Sequence, residues 1–215
     1  MVIKTMKKIL ALNFFPAFVP ISNGGESKLY NFYKVLSKYH HVTLLTSTHP
    51  GVKEEKIYHS TTFVERRIPK DNYFNRCWGE LENYTSNGQG DLSAPAIAAS
   101  AQYPTTMLAA YLNEYDSADI IIHDFPFTID FDIFLGIDNK PRIYNSHNCE
   151  SELYQALHPS EKSRPIIELV AKAEEKLLNN ADLILYCGES DYESFIKIAP
   201  HKESVMLYSP NGMVE

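Results

Sequence analysis

Short apolar runs alternate with amphipathic segments along most of the chain. The apolar or β-branched runs predict buried strands at 7–13, 42–46, 119–124, 141–146, 182–187 and 204–207. Between them, apolar residues recur about every three to four positions, which predicts helices over 26–38, 94–115, from 163 onward and over 190–198. Strands that alternate with helices indicate an α/β fold. We therefore expect a Rossmann-like three-layer α/β/α sandwich around a mostly parallel sheet.

One stretch, residues 69–93, departs from this alternation. It contains the single tryptophan, Trp78, together with several other aromatic residues and the turn-forming run Asn87-Gly88-Gln89-Gly90. A weaker β-branched run just before it, at 62–66, predicts one further strand. Because the pattern of 69–93 fits neither a strand nor a helix, we interpret this stretch as an irregular insertion or flexible excursion.

The loop after the first predicted strand ends in Asn23-Gly24-Gly25, directly before the first predicted helix. The unpaired N–H groups and the positive dipole end of a helix start attract anions, and glycine lets a ligand come close to the backbone. A phosphate is therefore a natural ligand here, although an ordinary turn is the alternative. The pattern matches neither the GxGxxG dinucleotide motif nor the GxxxxGK[ST] phosphate loop.

Polar residues also stand at the ends of predicted strands: Asn13, His123-Asp124 and His147-Asn148. In parallel α/β sheets, ligands bind outside the carboxyl ends of the strands, at the point where the strand order reverses. The pattern predicts one site at that edge. The alternative for each residue is a polar group satisfied by neighbouring backbone. Glu150, nearby, has a simple interpretation as an acidic residue that favours a helix start.

Composition excludes several classes of function. The 215 residues carry a net charge of −7, which argues against a nucleic-acid-binding groove. The cysteines Cys77, Cys149 and Cys187 are odd in number and lack CxxC spacing, which indicates a reducing compartment and no zinc site. The basic and apolar start resembles a signal peptide, but Asn13 and Pro16 interrupt it. No apolar run is long enough to span a membrane. The reducing compartment indicated by the cysteines leads us to expect a cytoplasmic protein.

Several of these motifs occur together in a fixed order along the chain. The elements are Gly24-Gly25, the strand at 119–124, Ser146-His147-Asn148-Cys149-Glu150, Ala181-Asp182 and Ser209-Pro210-Asn211-Gly212. Taken together, they resemble the N-terminal half of family-4 retaining glycosyltransferases of the GT-B architecture. The resemblance covers nearly the whole chain and is weakest over 69–93.

The resemblance implies two Rossmann-like domains that face each other across a cleft. The N-terminal domain binds the acceptor, and the C-terminal domain holds the nucleotide-sugar with a Glu-x7-Glu motif, which this sequence lacks. We therefore expect 1–207 to be the acceptor-side domain and 208–215 the start of an interdomain linker, with the donor-binding domain absent and the chain alone inactive. The alternative is a self-sufficient Rossmann-like ligand-binding module without transferase activity.

The resemblance also implies roles for individual residues. The residues expected to bind substrate or the donor phosphate are Gly24, Gly25, Lys28, Asn148 and Asn211. The residues expected to act near the reaction centre, by orienting sugar hydroxyls, are His123, Asp124 and His147. Many family members place a histidine where this chain has Asp124. Because neighbouring strand residues point to opposite faces, only one of His123 and Asp124 is expected to face the cleft.

The implied chemistry needs no metal and no cofactor, because the departing diphosphate of the donor can take the proton of the acceptor hydroxyl. The implied partners are a nucleotide-sugar donor, held by the C-terminal domain, and a carbohydrate or lipid-linked acceptor, with peripheral contact at the inner membrane face. Three loop aromatics, Phe14, Phe15 and Phe18, have two interpretations. They either stack on the sugar or lipid of the acceptor, or cap the core.

Overall fold

The computed structural model describes residues 5–85, 91–133, 135–136 and 139–210. The strands are β1 (Lys8–Leu12), β2 (His41–Thr48), β3 (Glu55–Tyr58), β4 (Phe63–Pro69), β5 (Ile120–His123), β6 (Arg142–Asn145), β7 (Leu183–Tyr186) and β8 (Met206–Tyr208). The α-helices are α1 (Gly24–Leu36), α2 (Asn72–Glu82), α3 (Ser93–Ser100), α4 (Thr106–Tyr115), α5 (Asp130–Ile133), α6 (Glu150–Leu157), α7 (Arg164–Asn180) and α8 (Glu189–Ile198). Short 3-10 helices cover Pro126–Thr128, Glu161–Ser163 and Pro200–Val205.

The described strands form one 8-stranded sheet in the order β3-β4-β2-β1-β5-β6-β7-β8. All neighbouring pairs are parallel except β3 with β4. The strand order runs outward in both directions from β1, which lies between β2 and β5. The carboxyl ends of β1 and β5 are therefore the switch point at which ligands bind in this class of fold.

Helices cover the sheet on both faces, as β1 illustrates. Ile9 and Ala11 pack in one apolar cluster with Leu29 of α1. Leu10, on the opposite face of the same strand, packs in a second cluster with Tyr111 of α4. Because both faces are buried, the parallel strands read as continuous apolar runs. This arrangement confirms the expected three-layer α/β/α sandwich and its mostly parallel sheet.

The expectation that residues 69–93 are irregular was wrong, because much of this stretch is ordered helix. Asp71 caps α2 by accepting a hydrogen bond from the Phe74 amide at 3.0 Å, and Phe74, Cys77 and Leu81 form its buried face. α2 packs against α3. The turn-forming run 87–90 lies outside the described residues.

The helix predicted over 94–115 is in fact two helices, α3 and α4. The helical conformation is interrupted around Pro104. Thr105 then caps α4 by accepting a hydrogen bond from the Leu108 amide at 3.1 Å. The sequence pattern also did not predict β3, a short edge strand that is mostly exposed and antiparallel to its neighbour. The first helix begins two residues earlier than predicted, so that the two glycines form its first turn.

Within the described residues, no helix combines the length and apolar character that crossing a membrane requires.

Candidate functional site

A cleft of about 620 Å³ opens at the carboxyl ends of β1, β5 and β6. The lining residues come from the loop after β1, the first turn of α1, the loops after β5 and β6, and α6. They are Phe14, Phe15, Phe18, Asn23, Gly25, Glu26, Asp91, Phe125, His147, Asn148, Glu150, Leu153, Tyr154, Leu157 and His158. The cleft therefore lies at the switch point of the sheet, where the topology places a ligand.

The first wall of the cleft is the start of α1. Asn23 caps the helix, and its Oδ1 accepts a hydrogen bond from the Glu26 amide at 2.9 Å. The Glu26 carboxylate in turn accepts hydrogen bonds from the amide and hydroxyl of Ser22, at 2.7 and 2.8 Å. The hydrogen bond from the Ser22 amide, with those from its hydroxyl and from Asn23, lowers the pKa of Glu26. The carboxylate therefore stays ionised beside the helix start.

The two glycines of this first turn differ in their surroundings. A Cβ on Gly24 would meet nothing within 4 Å, whereas a Cβ on Gly25 would lie 3.4 Å from Asn23 Oδ1 and 3.9 Å from Phe15 Cζ. Among the described residues, no acceptor is found for the amide of either glycine. A side chain at Gly25 would therefore project into the cleft beside donors that a ligand can use.

The second wall is the loop from His147 to Glu150. Carboxylates of α7 and α8 hold this loop by accepting hydrogen bonds from backbone amides. Glu174 of α7 is fully buried, and its Oε1 and Oε2 accept the backbone amides of Glu150 and Ser151, each at 2.8 Å. Asp191 of α8 accepts the amide of Cys149 at 3.0 Å. These carboxylates satisfy the free amides at the start of α6 and interact favourably with its dipole. They fix the position of the loop that carries His147.

His147 lines the cleft, yet only 8% of its surface is exposed. Its ring stacks on that of Phe125, with centroids 4.7 Å apart, and its Nε2 has no hydrogen-bond partner among the described residues. Burial, together with the nearby charge of Lys28, lowers the pKa of His147 to about 3. The imidazole is therefore neutral at physiological pH, and its Nε2 is a buried atom that the described residues leave unpaired.

Glu150 also lines the cleft, with 3% of its surface exposed. Burial, followed by the charge of Glu174, raises the pKa of Glu150 to about 8. Its side chain accepts a long hydrogen bond from Asn148 Nδ2 at 3.4 Å. At pH 7 the carboxyl is mainly protonated, so it can both donate and accept hydrogen bonds. Sequence reasoning assigned Glu150 only to the helix start, although the His-Asn-x-Glu run had marked its position.

Asp124 lies behind the cleft wall on the α1 side of the sheet. Its Oδ1 accepts hydrogen bonds from the Tyr33 hydroxyl at 2.9 Å and from Asn145 Nδ2 at 2.6 Å, while Oδ2 has no partner among the described residues. Burial raises the pKa of Asp124 to about 7, although both hydrogen bonds oppose this rise. Asp124 therefore contacts the strand that leads into His147, and does not line the cleft itself.

His123 and Lys28 also lie away from the cleft surface. His123 points to the opposite face of β5, where Nδ1 is 2.8 Å from the Thr128 hydroxyl, and burial holds its pKa well below the usual value. Lys28 is buried, and its Nζ donates hydrogen bonds to the Ser146 carbonyl and the Cys187 thiol. Neither side chain lines the cleft.

Of the residues expected to bind substrate or to act near the reaction centre, the cleft brings together Gly25, His147 and Asn148. Gly24 is adjacent to the cleft on α1, whereas the side chains of His123, Asp124 and Lys28 are buried and do not line it. Asn211 lies outside the described residues. The roles expected for all of these residues stay predictions. Within the described part of the chain, no three His, Cys, Asp or Glu side chains form a group that could hold a metal ion.

Comparison with known proteins gives structural matches only. No protein-family model and no curated protein sequence matches the chain. Among solved structures, the catalytic domain of starch synthase IV from Arabidopsis thaliana, bound to ADP and acarbose, matches with a TM-score of 0.62 and 9% identity, over 97% of this chain and 52% of that one. Sucrose-phosphate synthase from Thermosynechococcus elongatus matches with a TM-score of 0.60 and 14% identity, over 95% of this chain and 48% of that one. Anabaena HepE, in complex with UDP and glucose, matches with a TM-score of 0.52 and 12% identity, over 96% of this chain and 45% of that one.

At this level of identity, the matches establish the fold. The chain has the Rossmann-like α/β architecture of one domain of GT-B glycosyltransferases, and it spans about half the length of the solved structures named above.

Proposed function

We propose that this chain is the acceptor-binding domain of a retaining, family-4-like glycosyltransferase. The complete enzyme would move a sugar from a nucleotide-sugar donor to a hydroxyl of a glycan, lipid or small-molecule acceptor. The observation that carries this proposal is the cleft at the switch point of the sheet. There the start of α1 and the loop after β6 place Gly25, His147 and Asn148 on a common surface.

The polar groups of the cleft suit a sugar hydroxyl. The neutral imidazole of His147 has a buried nitrogen that the described residues leave unpaired, and the protonated carboxyl of Glu150 offers a hydrogen-bond donor and an acceptor. Both groups are held by buried neighbours, His147 by Phe125 and the Glu150 backbone by Glu174. Such preorganised groups orient an acceptor hydroxyl without reorganisation during the reaction.

The donor would be held mainly by a second Rossmann-like domain across the cleft. The ADP of the starch synthase structure and the UDP of the HepE structure support a nucleotide-sugar as this donor. In this proposal the amides of Gly24 and Gly25 face the donor phosphate or the transferred sugar. The departing diphosphate takes the proton of the attacking hydroxyl, so the reaction uses neither a metal nor a protein nucleophile.

The decisive experiment uses the complete gene product. It is incubated with each common nucleotide-sugar and a panel of acceptors, and the release of nucleoside diphosphate is measured together with the mass of the glycosylated product. We expect transfer from at least one donor, with retention at the anomeric carbon seen by NMR. A complete protein that consumes no nucleotide-sugar, and a gene with no second domain after Glu215, would instead identify a stand-alone binding module.

A further inference from the structure

We infer that the acceptor is an uncharged sugar attached to an apolar group, such as an alkyl or aryl glycoside, and that it carries no phosphate. This inference rests on the proposed function and names the acceptor class of the same cleft. It follows from the charges that line the cleft, from its apolar surface and from the way in which the two are arranged along α6.

The charges of the cleft disfavour an anionic acceptor. Its described lining includes the acidic residues Glu26 and Asp91, besides the mainly protonated Glu150, but no lysine or arginine. Lys28 is buried behind the cleft lining, where its charge helps to lower the pKa of His147, and it donates its hydrogen bonds to Ser146 and Cys187. An acceptor phosphate in this cleft would meet ionised Glu26 without a compensating lysine or arginine from the described lining, whereas the donor diphosphate of the proposed function would be compensated by basic groups of the second domain.

Most of the remaining surface is apolar. Phe14 and Phe125 meet edge to face with centroids 4.7 Å apart, and both line the cleft. Phe18 is 43% exposed, Leu153 37% and Leu157 62%, so large apolar side chains stand in water at the cleft. Exposed apolar residues grouped around a cavity mark a binding surface.

Polar and apolar groups are separated along α6. The residues of this helix that line the cleft are Glu150, Leu153, Tyr154 and Leu157, which share one helix face. Glu150 stands at the start of the helix beside His147, and Leu157 stands at its end, about 10 Å away at 1.5 Å per residue. A ligand that follows this face has its sugar at His147 and Glu150 and its apolar group along Leu153 and Leu157.

The test measures binding to this chain by NMR titration or calorimetry, without any donor. The probes are methyl β-glucoside, octyl β-glucoside below its micelle concentration, and glucose 6-phosphate. We expect octyl glucoside to bind at least about 30-fold more tightly than methyl glucoside, since each buried methylene strengthens binding about four-fold. We expect glucose 6-phosphate to bind more weakly than methyl glucoside.

A matched pair of variants locates the apolar group. Leu153 in the cleft and Leu112 on α4 are similarly exposed, at 37% and 39%, and Leu112 does not line the cleft. Leu153→Asp should weaken octyl glucoside binding at least about tenfold and leave methyl glucoside binding unchanged, whereas Leu112→Asp should change neither. Circular dichroism confirms that both variants are folded.

Three results would overturn the inference: equal affinity for the two glucosides, equal octyl glucoside binding by the two variants, or preferred binding of glucose 6-phosphate. These results differ from failure of the proposed function. Transfer to a phosphorylated acceptor by the complete protein would leave the transferase in place and remove only the acceptor class. Tight octyl glucoside binding by a complete protein that consumes no nucleotide-sugar would support the ligand class and remove the transferase function.

Discussion

The Asp124 carboxylate accepts a hydrogen bond of 2.6 Å from the side-chain amide of Asn145, across two adjacent parallel strands. Asn145 is the last residue of β6, two positions before His147. The bond therefore ties the end of β5 to the segment that leads into the cleft. Asp124 also accepts the Tyr33 hydroxyl, so α1 joins the same buried network. We therefore predict that Asp124 acts on the cleft as a positioning residue.

Replacing Asp124 tests this network. Asp124→Ala leaves the Tyr33 hydroxyl and the Asn145 amide without their buried partner and should reduce the free energy of unfolding by about 2 to 4 kcal/mol. Urea denaturation measures this loss. In the complete protein we expect Asp124→Ala to reduce turnover more than tenfold, whereas His123→Ala, on the opposite face of β5, has a smaller effect. Small and equal effects of the two substitutions on turnover would contradict the positioning role of Asp124.

Loss of the His147 imidazole should weaken transfer without unfolding the protein. We expect His147→Ala to lower kcat/KM in the complete protein at least about tenfold, a loss of roughly 1.4 kcal/mol of transition-state stabilisation. His201, exposed in the 3-10 helix after α8, is the control, and His201→Ala should leave kcat/KM unchanged. Because the pKa of His147 is about 3, the wild-type rate should show no titration of this residue between about pH 5 and 8. A rate that depends on protonated His147 in that range would contradict the neutral imidazole.

Glu150 should make stability depend on pH. Its pKa is raised from 4.5 to about 8 in the folded protein, so the folded state binds more protons than the unfolded state between these values. The contribution of Glu150 to stability is therefore present below about pH 4.5 and is lost as the pH rises towards 8. Glu150→Gln removes this dependence. Relative to wild type, the variant should gain at least about 1 kcal/mol in free energy of unfolding between pH 5 and 8.

Urea denaturation of both proteins at each pH checks this prediction, since titrating groups that do not interact with Glu150 cancel in the difference. Glu152→Gln, two residues further along α6, serves as the control and should show no comparable gain. A constant difference between Glu150→Gln and wild type would mean that Glu150 is ionised in the folded protein.

A side chain at Gly25 should abolish transfer, whereas a side chain at Gly24 should not. We expect Gly25→Val to abolish transfer in the complete protein while the free energy of unfolding changes by about 1 kcal/mol or less, because the branched side chain projects into the cleft beside Asn23 and Phe15. Gly24→Ala is the control, since its Cβ meets open space. Transfer that survives in Gly25→Val would exclude this turn from the donor path.

The sheet was predictable from sequence because strands buried on both faces are continuous apolar runs, as at 119–124. The location of the cleft was predictable because strand-end polar residues such as His147 meet at one edge of a parallel sheet. α2 was missed because its apolar face, Phe74 and Cys77 among it, is interspersed with aromatic and polar residues that look irregular.

The surroundings of Glu150 could not be predicted, because they depend on Glu174, which is 24 residues away and comes from another helix. Periodicity places each residue on its own element, but it does not report which elements meet. The same holds for Lys28, whose partners Ser146 and Cys187 lie 118 and 159 residues further along the chain. Its burial follows from packing between distant segments, which the local pattern does not encode.

The lack of basic side chains in the described lining of the cleft gives a simple diagnostic for its ligand. Since the described lining of the cleft has neither lysine nor arginine, capture of a neutral glycoside there releases few bound counterions, and its dissociation constant should barely change between 50 and 500 mM sodium chloride. An anionic nucleotide-sugar held by basic groups of the second domain would instead bind more weakly as the ionic strength increases. Measuring the dissociation constant of each ligand at several salt concentrations would therefore show which of the two domains binds it.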